Sequence, residues 1–475
     1  MSLIVASVHG EVPENLQGAD LLEIRIDGMD VDEAIVRLPE FLDSCEIPAI
    51  ITCRSKCEGG MFDGDEENRV KMYRAALACD NPPRYIDVEH EVLTRHPLML
   101  DALACETTDI ILSWHDPTGR PNDLIQRAAA MQDVAGVSIV KMVWRARSIR
   151  DNLEAFSLLQ SRQQPMIAMC MGEFGLMSRV LAPKFGGFAV FASVDGMEKT
   201  AQGQVEVKQL RSLYHFDAIN NDTKVYGVIG NNVAHSSSPA FHNAAFEAAG
   251  KNAVYIPLSI PSGWEHLKAS IFALCNDSAM NFEGASVTIP HKENMMQLVD
   301  VPDDNCKETG ATNTANFKDG HIFGYNTDVE ALAKIAPSAK RVLILGGGGA
   351  ARAAITAMAS NGATVFVVTR RTEQQVQLEQ ELACSIAPKE LSEIDTIINC
   401  TPVGMEGGND EFGDPLTQLA PSVSLTTSIT VIDTVYKPVE TPLIQRARTV
   451  GCTVVTGNEM FRLQAAAQQL IWTKT

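Results

Sequence analysis

The chain has 475 residues, more than one hydrophobic core normally supports, so two or more domains are expected. Its 39 Lys+Arg against 59 Asp+Glu give a net charge of −20, which argues against a nucleic-acid partner because such binding depends on a basic face. Hydrophobic content of 45% without a long apolar run fits soluble folded domains and argues against a membrane span or a general state of disorder.

The opening residues, Met1 to His9, carry no basic segment and only a short apolar stretch, so no signal peptide is expected. Eleven cysteines, an odd number scattered over the chain, fit reduced thiols and a cytoplasmic location better than a disulfide framework. Cys53 and Cys57 form the one close pair, with no second pair to complete a zinc site, so no metal is expected.

Eight short apolar runs lead the chain: 3–8, 21–26, 49–53, 85–88, 110–114, 138–143, 166–170 and 188–192. Segments with apolar residues at three- and four-residue spacing lie between them, among them 32–42, 67–78, 122–132 and 149–160. Strand–helix alternation repeated eight times predicts an α/β fold opening with a (β/α)8 TIM barrel over residues 1–214. The polar stretch 215–224 reads as a linker, and a second α/β series starts at Val225. Further strands are expected at 342–345, 364–369, 396–399 and 431–433.

Active sites of such barrels form at the C-terminal ends of the strands. The polar residues there are Glu23 and Arg25, Arg54 followed by Glu58-Gly-Gly60, His115, Lys141, Arg179 and Gln204. Between Val140 and Met142, Lys141 should be desolvated, which disfavours its ammonium form and favours an amine able to attack a ketone as an imine former. His115 suits the accompanying proton transfer, Glu58 could orient it, and Arg54 and Arg179 offer forked donors for a substrate carboxylate. Taken singly, Lys141 could instead be a snorkelling lysine and His115 a satisfied core histidine.

Together these residues resemble type I 3-dehydroquinate dehydratases over roughly residues 1–210. The resemblance implies a Schiff base at Lys141, proton removal by His115, and substrate contacts from Ser7, Glu23, Arg25, Arg54, Arg179, Thr200 and Gln204. The chain reads Thr200-Ala-Gln-Gly-Gln204 where that family usually has Ser-Ala-Pro-Gly-Gln.

In the second half, the strand ending at Leu345 runs into Gly346, Gly347, Gly348, Gly349, Ala350 and Ala351 and then an Ala-rich helix, a dinucleotide fingerprint in its proper context. The next strand ends in Arg370-Arg371-Thr372 rather than an acidic residue, which suits the 2′-phosphate of NADP(H). Ser236 and Ser238, Thr288 with Lys292, Asn313, Asp328, Tyr436, Gly457 and Gln464 accompany it. Taken alone, Lys292 and Asp328 could equally be an ion pair capping a helix.

In this order, these short motifs resemble shikimate dehydrogenases over roughly residues 225–475. That implies a catalytic pair Lys292–Asp328, a substrate pocket of Ser236, Ser238, Thr288, Asn313, Tyr436 and Gln464, and cofactor contacts from Gly346 to Ala351, Arg370, Arg371, Thr372 and Gly457. It also implies a substrate-binding domain over 225–328 with the C-terminal helices at about 457–475, and a Rossmann NADP-binding domain over 329–456. Departures from that family are Ser286 for Asn, Asn232 for Pro and Arg370 for Asn.

The two halves together resemble the bifunctional dehydroquinate dehydratase–shikimate dehydrogenases, with small-molecule substrates and neither nucleic acid nor membrane as partner. The rival readings are a quinate dehydrogenase in the second half, or a sensor of these metabolites without turnover. The oligomeric state is not legible in the sequence.

Overall fold

The computed structural model describes residues 2–10, 12–388, 391 and 393–473. Its compact units are 1–226 with 232–260 and 272–281, and 227–231 with 261–271 and 282–475.

In the first unit, eight parallel strands follow the order β7-β6-β5-β4-β3-β2-β1-β8. They are β1 (Leu3–His9), β2 (Leu21–Arg25), β3 (Ala49–Thr52), β4 (Tyr85–Glu89), β5 (Asp109–Asp116), β6 (Ile139–Arg145), β7 (Met166–Met171) and β8 (Ala189–Ala192). The Phe188 N–H donates to the Met166 carbonyl at 2.8 Å across the seam between β7 and β8, so the sheet is a nearly closed barrel. Each expected apolar run is a strand, because a sheet covered by helices on one face and filled by side chains on the other reads as continuously apolar. The helices obey the same logic: Val31–Asp43 is started by the Asp30 carboxylate accepting from the Asp32 and Glu33 N–H groups, and it buries Ala34, Leu38, Phe41 and Leu42. The stretch 215–224 is more than a polar connector: it holds a 3-10 turn, Phe216–Ala218, and buries Phe216, Ile219 and Thr223.

A six-stranded sheet of order β10-β9-β11-β13-β14-β12 follows, built from β9 (Lys224–Gly230), β10 (Ala253–Ser259), β11 (Phe282–Val287), β12 (Val301–Pro302), β13 (Thr314–Lys318) and β14 (His321–Tyr325). Of these, the sequence reading contained only β9.

The third sheet, order β17-β16-β15-β18-β19-β20, is all parallel: β15 (Arg341–Leu345), β16 (Thr364–Val368), β17 (Ser385–Ile386), β18 (Thr396–Asn399), β19 (Thr430–Asp433) and β20 (Thr453–Val455). This is a doubly wound nucleotide-binding arrangement, with the strand order reversing between β15 and β18. The helix Gly349–Ser360 packs Ala351, Ala353, Ala354 and Ala357 into the core, small residues that let it lie close to the sheet.

Among the described residues, no helix is long and apolar enough to cross a membrane, and no cluster of His, Cys, Asp and Glu could hold a metal ion.

Candidate active sites

The barrel holds a cavity of about 410 Å³ at the C-terminal ends of its strands, lined by Glu23, Arg54, Glu58, His115, Lys141 and Arg179 among others. Lys141 is buried, as its neighbours in the sequence suggest, but its surroundings are not simply apolar. Its Nζ lies 3.0 Å from an Asp87 oxygen and 3.5 Å from Glu23, and 3.7 Å from the centroid of the Phe191 ring. Against the penalty of burial, Arg54 and Lys141 bring the Asp87 carboxyl down to about 2. Burial is likewise outweighed at Glu23, which Lys141 and Arg25 hold below its usual range. Ser7 and Thr52 donate to the two Glu23 oxygens at 2.7 and 2.9 Å.

His115 Nδ1 lies 2.9 Å from Glu58 Oε2, and the His115 backbone N–H donates to the same oxygen at 3.0 Å. The carboxylate therefore fixes both the ring and its strand, the orienting role expected of Glu58. Burial, assisted by the Glu89 and Asp87 charges and opposed by Arg54, pushes Glu58 well above the ordinary carboxylate range. Burial, with Arg54, Lys141 and Arg25 nearby, pushes His115 well below 6.5. Hydrogen-bonded at 2.9 Å, the two groups titrate as a pair rather than singly.

The two arginines offered for a substrate carboxylate differ. Arg54 is already occupied: it donates to Asp87 at 2.7 Å, Ser113 at 2.8 Å, Glu58 at 3.1 Å and Glu89 at 3.3 Å. Arg179 is 2% exposed and donates to the Phe191 carbonyl at 2.8 Å, while its Nε has no partner and no carboxylate is paired with it among the described residues. A buried guanidinium without a counter-ion is a receptor for an anion. Arg25 is held in a fork by Asp27 at 2.6 and 2.8 Å. At the rim, the Gln204 side chain accepts from the Thr200 N–H at 3.1 Å and donates to the Thr200 hydroxyl at 2.9 Å. Threonine thus keeps a hydroxyl contact at this position. Gln202, where proline is usual, contributes a carbonyl that accepts from the Gly172 N–H at 3.2 Å.

Asp87 and Glu89 were missed by the sequence reading. Their signal lies in Tyr85-Ile-Asp-Val-Glu89, where two carboxylates at alternate positions of an apolar strand share one face.

In the second half, Lys292 opens a short helix, Lys292–Met296, and Asp328 lies in the first turn of Thr327–Ile335. Their side chains meet at 2.6 Å, with 14% and 5% exposure. A Cβ built on Gly349 would come within 2.9 Å of the Lys292 side chain, so the start of the dinucleotide-type helix lies against the lysine stem. Asn313 accepts from the Thr327 N–H at 2.9 Å and donates to the Thr327 hydroxyl at 3.0 Å, which anchors the helix carrying Asp328. Ser286 donates to Gln468 at 2.7 Å, and Gln468 in turn donates to Thr314. Asn232 has φ of 57°, which the proline common there could not adopt. Ser236 accepts from the Ser238 N–H at 3.2 Å at the start of helix Ser238–Ala248. Thr288 is half-buried just after β11, and its N–H donates to the Ile229 carbonyl at 2.8 Å. Tyr436 packs on Phe461, with ring centroids 5.3 Å apart, and Gln464 donates to the Phe461 carbonyl at 3.2 Å.

The glycine loop fits a dinucleotide. Gly346 has φ of 114° and its backbone lies against the Cys400 carbonyl, where a Cβ would come within 2.9 Å. Nothing lies within 4 Å of a Cβ built on Gly348, at the mouth of helix Gly349–Ser360, which Ala350 and Ala351 continue. The helix start thus presents open backbone N–H groups, the arrangement that binds a pyrophosphate. Arg370 and Arg371 are exposed beyond the end of β16, next to Thr372, which opens helix Thr372–Glu381. Gly457 admits no side chain: a Cβ there would lie 2.2 Å from the Val435 carbonyl.

Residues 5–221 match the family model of type I 3-dehydroquinase, residues 228–315 the substrate-binding domain of shikimate dehydrogenase, and residues 334–405 an NAD(P)-binding model. The chain is 35% identical to a bifunctional 3-dehydroquinate dehydratase/shikimate dehydrogenase of Arabidopsis thaliana, across 96% of this chain and 78% of that protein. The chain belongs to this bifunctional family. Its second half is also 36% identical to an NADP(+) shikimate dehydrogenase of Aquifex aeolicus, covering 54% of this chain and 93% of that one. A crystal structure of shikimate dehydrogenase from the same organism aligns with a TM-score of 0.48 at 34% identity, covering 54% of this chain and 95% of that chain. The chain makes the Thr200–Gln204 contacts with Gln202 where the dehydratase family usually has proline.

Proposed function

We propose that the barrel dehydrates 3-dehydroquinate to 3-dehydroshikimate and that the second half reduces this product to shikimate with NADPH. The observation that carries the first activity is the buried Lys141 in a cavity shared with His115 and with Arg179, which has no carboxylate partner among the described residues. Lys141 gives up a proton and its amine attacks the ketone carbon; that proton and one from the nitrogen depart with the carbonyl oxygen as water, giving a protonated imine whose charge Asp87 and Glu23 balance. His115 takes a proton from the carbon beside the imine and passes it to the hydroxyl of the next carbon, which the electron pair expels as water. Hydrolysis of the conjugated imine then frees Lys141. Arg179 receives the substrate carboxylate, while Ser7, Glu23, Arg25, Arg54, Thr200 and Gln204 frame the ring and its hydroxyls.

In the second half, bound NADPH would supply the hydride. Residues 346–351 and Gly457 would hold the dinucleotide, with Arg370, Arg371 and Thr372 around its 2′-phosphate. Lys292 gives a proton to the oxygen that becomes the new hydroxyl, and Asp328 holds the lysine in place. Ser236, Ser238, Thr288, Asn313, Tyr436 and Gln464 bind the hydroxyls and carboxylate of the ring. These roles correspond to a dehydratase domain over 1–214, a connector over 215–224, a substrate domain over 225–328 with about 457–475, and a nucleotide domain over 329–456. The cysteine pattern supports a reducing compartment, the cytoplasm. A sensor without turnover is not favoured, since Lys141, His115, Lys292 and Asp328 are all retained.

Borohydride added to the chain with 3-dehydroquinate should leave a mass adduct on Lys141. An unmodified Lys141 after such treatment would rule out the imine route.

Two further results are expected. Because Glu58 keeps its proton to higher pH than an ordinary glutamate, the base-competent form of the His115–Glu58 pair grows as pH rises. Dehydration kcat should therefore climb with pH through neutrality, whereas a profile already flat above pH ~5 would contradict the coupling. Replacing Arg370 and Arg371 by Ser should raise KM for NADPH by about 10- to 100-fold, with NADH turnover little changed, since a charge-assisted hydrogen bond is worth about 1.5–3 kcal/mol. Equal losses with both cofactors would assign the arginines elsewhere.

A further inference from the structure

Arg69 lies on the helix Glu66–Leu77, behind the strand ends, and no step above uses it. It is only 1% exposed. One guanidinium nitrogen donates to Glu89 Oε2 at 2.9 Å, the Nε lies 3.2 Å from Glu66, and the group stacks 4.6 Å from the Phe62 ring centroid. Both of its main contacts lead to one loop. Glu89 Oε1 accepts from the Ser55 N–H at 2.7 Å and from Arg54 at 3.3 Å, at the start of that loop. Phe62, at its end, donates its N–H to the Arg54 carbonyl and accepts from the Lys56 N–H, each at 3.0 Å. Glu58 stands between these two tethers and meets His115 at 2.9 Å.

We propose that Arg69 is a positioning residue for dehydration: by neutralising Glu89 and seating Phe62, it sets the 54–62 loop so that Glu58 holds His115. The proposal rests on the dehydratase reading of the barrel. Its electrostatic part follows from the groups present. Glu58 is faced by Arg54, Glu89, Asp87 and His115; His115 by Arg54, Lys141 and Arg25; and Arg69 by Glu89, Glu66, Tyr73 and Cys53. The Glu89 charge pushes Glu58 upward, and Arg69, together with Arg54, is its counter-charge. Without Arg69 the His115–Glu58 pair keeps its proton to higher pH, and without the Glu89 charge it loses it at lower pH.

The test compares the full chain with its Arg69→Met, Arg69→Lys and Glu89→Gln variants, measuring dehydration kcat and KM against pH, borohydride trapping at Lys141 and oxidation of shikimate by NADP. Arg69→Met should lower dehydration kcat by about 10- to 100-fold with KM within about twofold, and move the acid limb to higher pH. Trapping and shikimate oxidation should persist. Arg69→Lys should return the limb towards its original position. Glu89→Gln should move it the opposite way, to lower pH, and this arm decides the matter if Arg69→Met fails to fold. An acid limb that stays put in Glu89→Gln, or in a trapping-competent Arg69→Met, would overturn the proposal. Failure of the unaltered chain to dehydrate or trap would instead overturn the reading beneath it.

Discussion

Lys141→Met is expected to abolish dehydration, with kcat down by roughly 10⁴-fold or more, while leaving NADP-dependent oxidation of shikimate intact. The reason is chemical: the other lysine lining the cavity, Lys199, is exposed and donates to the Gln204 carbonyl at 3.3 Å, so it does not take the place of the buried amine. Glu23 and Asp87, the charged groups nearest to Nζ, are carboxylates. The substitution also has a structural cost. It leaves two buried carboxylates with one counter-charge fewer, and breaking a buried ion pair costs about 3–5 kcal/mol. Arg54 remains on Asp87 and limits that loss. Loss of dehydration with the second activity retained, checked by separate assays on the full chain, is therefore the expected pattern. Substantial residual dehydration in Lys141→Met would mean that the reaction does not pass through this amine.

Lys292→Met is expected to give the reciprocal result: shikimate oxidation falls by roughly 10²- to 10⁴-fold in kcat, the usual worth of a positioned proton donor, while dehydration is unchanged. Asp328→Asn should act in the same direction but less strongly, because an amide can still accept from Lys292 without its charge. The contact between Gly349 and the lysine stem sharpens this expectation. Lys292 sits at the threshold of the glycine loop, beside the start of helix Gly349–Ser360. Steady-state assays with shikimate and NADP decide it. A rise in KM alone would demote the pair to substrate binding.

How much of this was legible in the sequence depended on whether the partners are neighbours in the chain. All eight barrel strands could be read, because buried parallel strands are apolar throughout and are punctuated by amphipathic helices. The glycine loop and the arginines after β16 were equally legible, since their spacing is their function. The strands β10 to β14 were not, for β12 has two residues and the antiparallel pair β13–β14 carries polar residues at several buried positions, Thr314 and Asn316 among them. Within the barrel site, Lys141 could be picked out from its flanks, but its counter-charges could not, because Asp87 and Glu23 come from strands 54 and 118 residues away. For the same reason Arg54 and Arg179 look alike in the sequence. Only the fold shows that Arg54 is held by Asp87, Glu58 and Glu89 while Arg179 has no carboxylate partner among the described residues.

The central claim is that one chain carries two consecutive activities at separate sites. Mixing the purified chain with 3-dehydroquinate and NADPH tests it most directly. Absorbance at the NADPH band should fall as shikimate accumulates, and the fall should stop in both Lys141→Met and Lys292→Met. Supplying 3-dehydroshikimate should restore it in Lys141→Met alone. NADPH that stays unoxidised with 3-dehydroquinate and also with 3-dehydroshikimate would contradict the account.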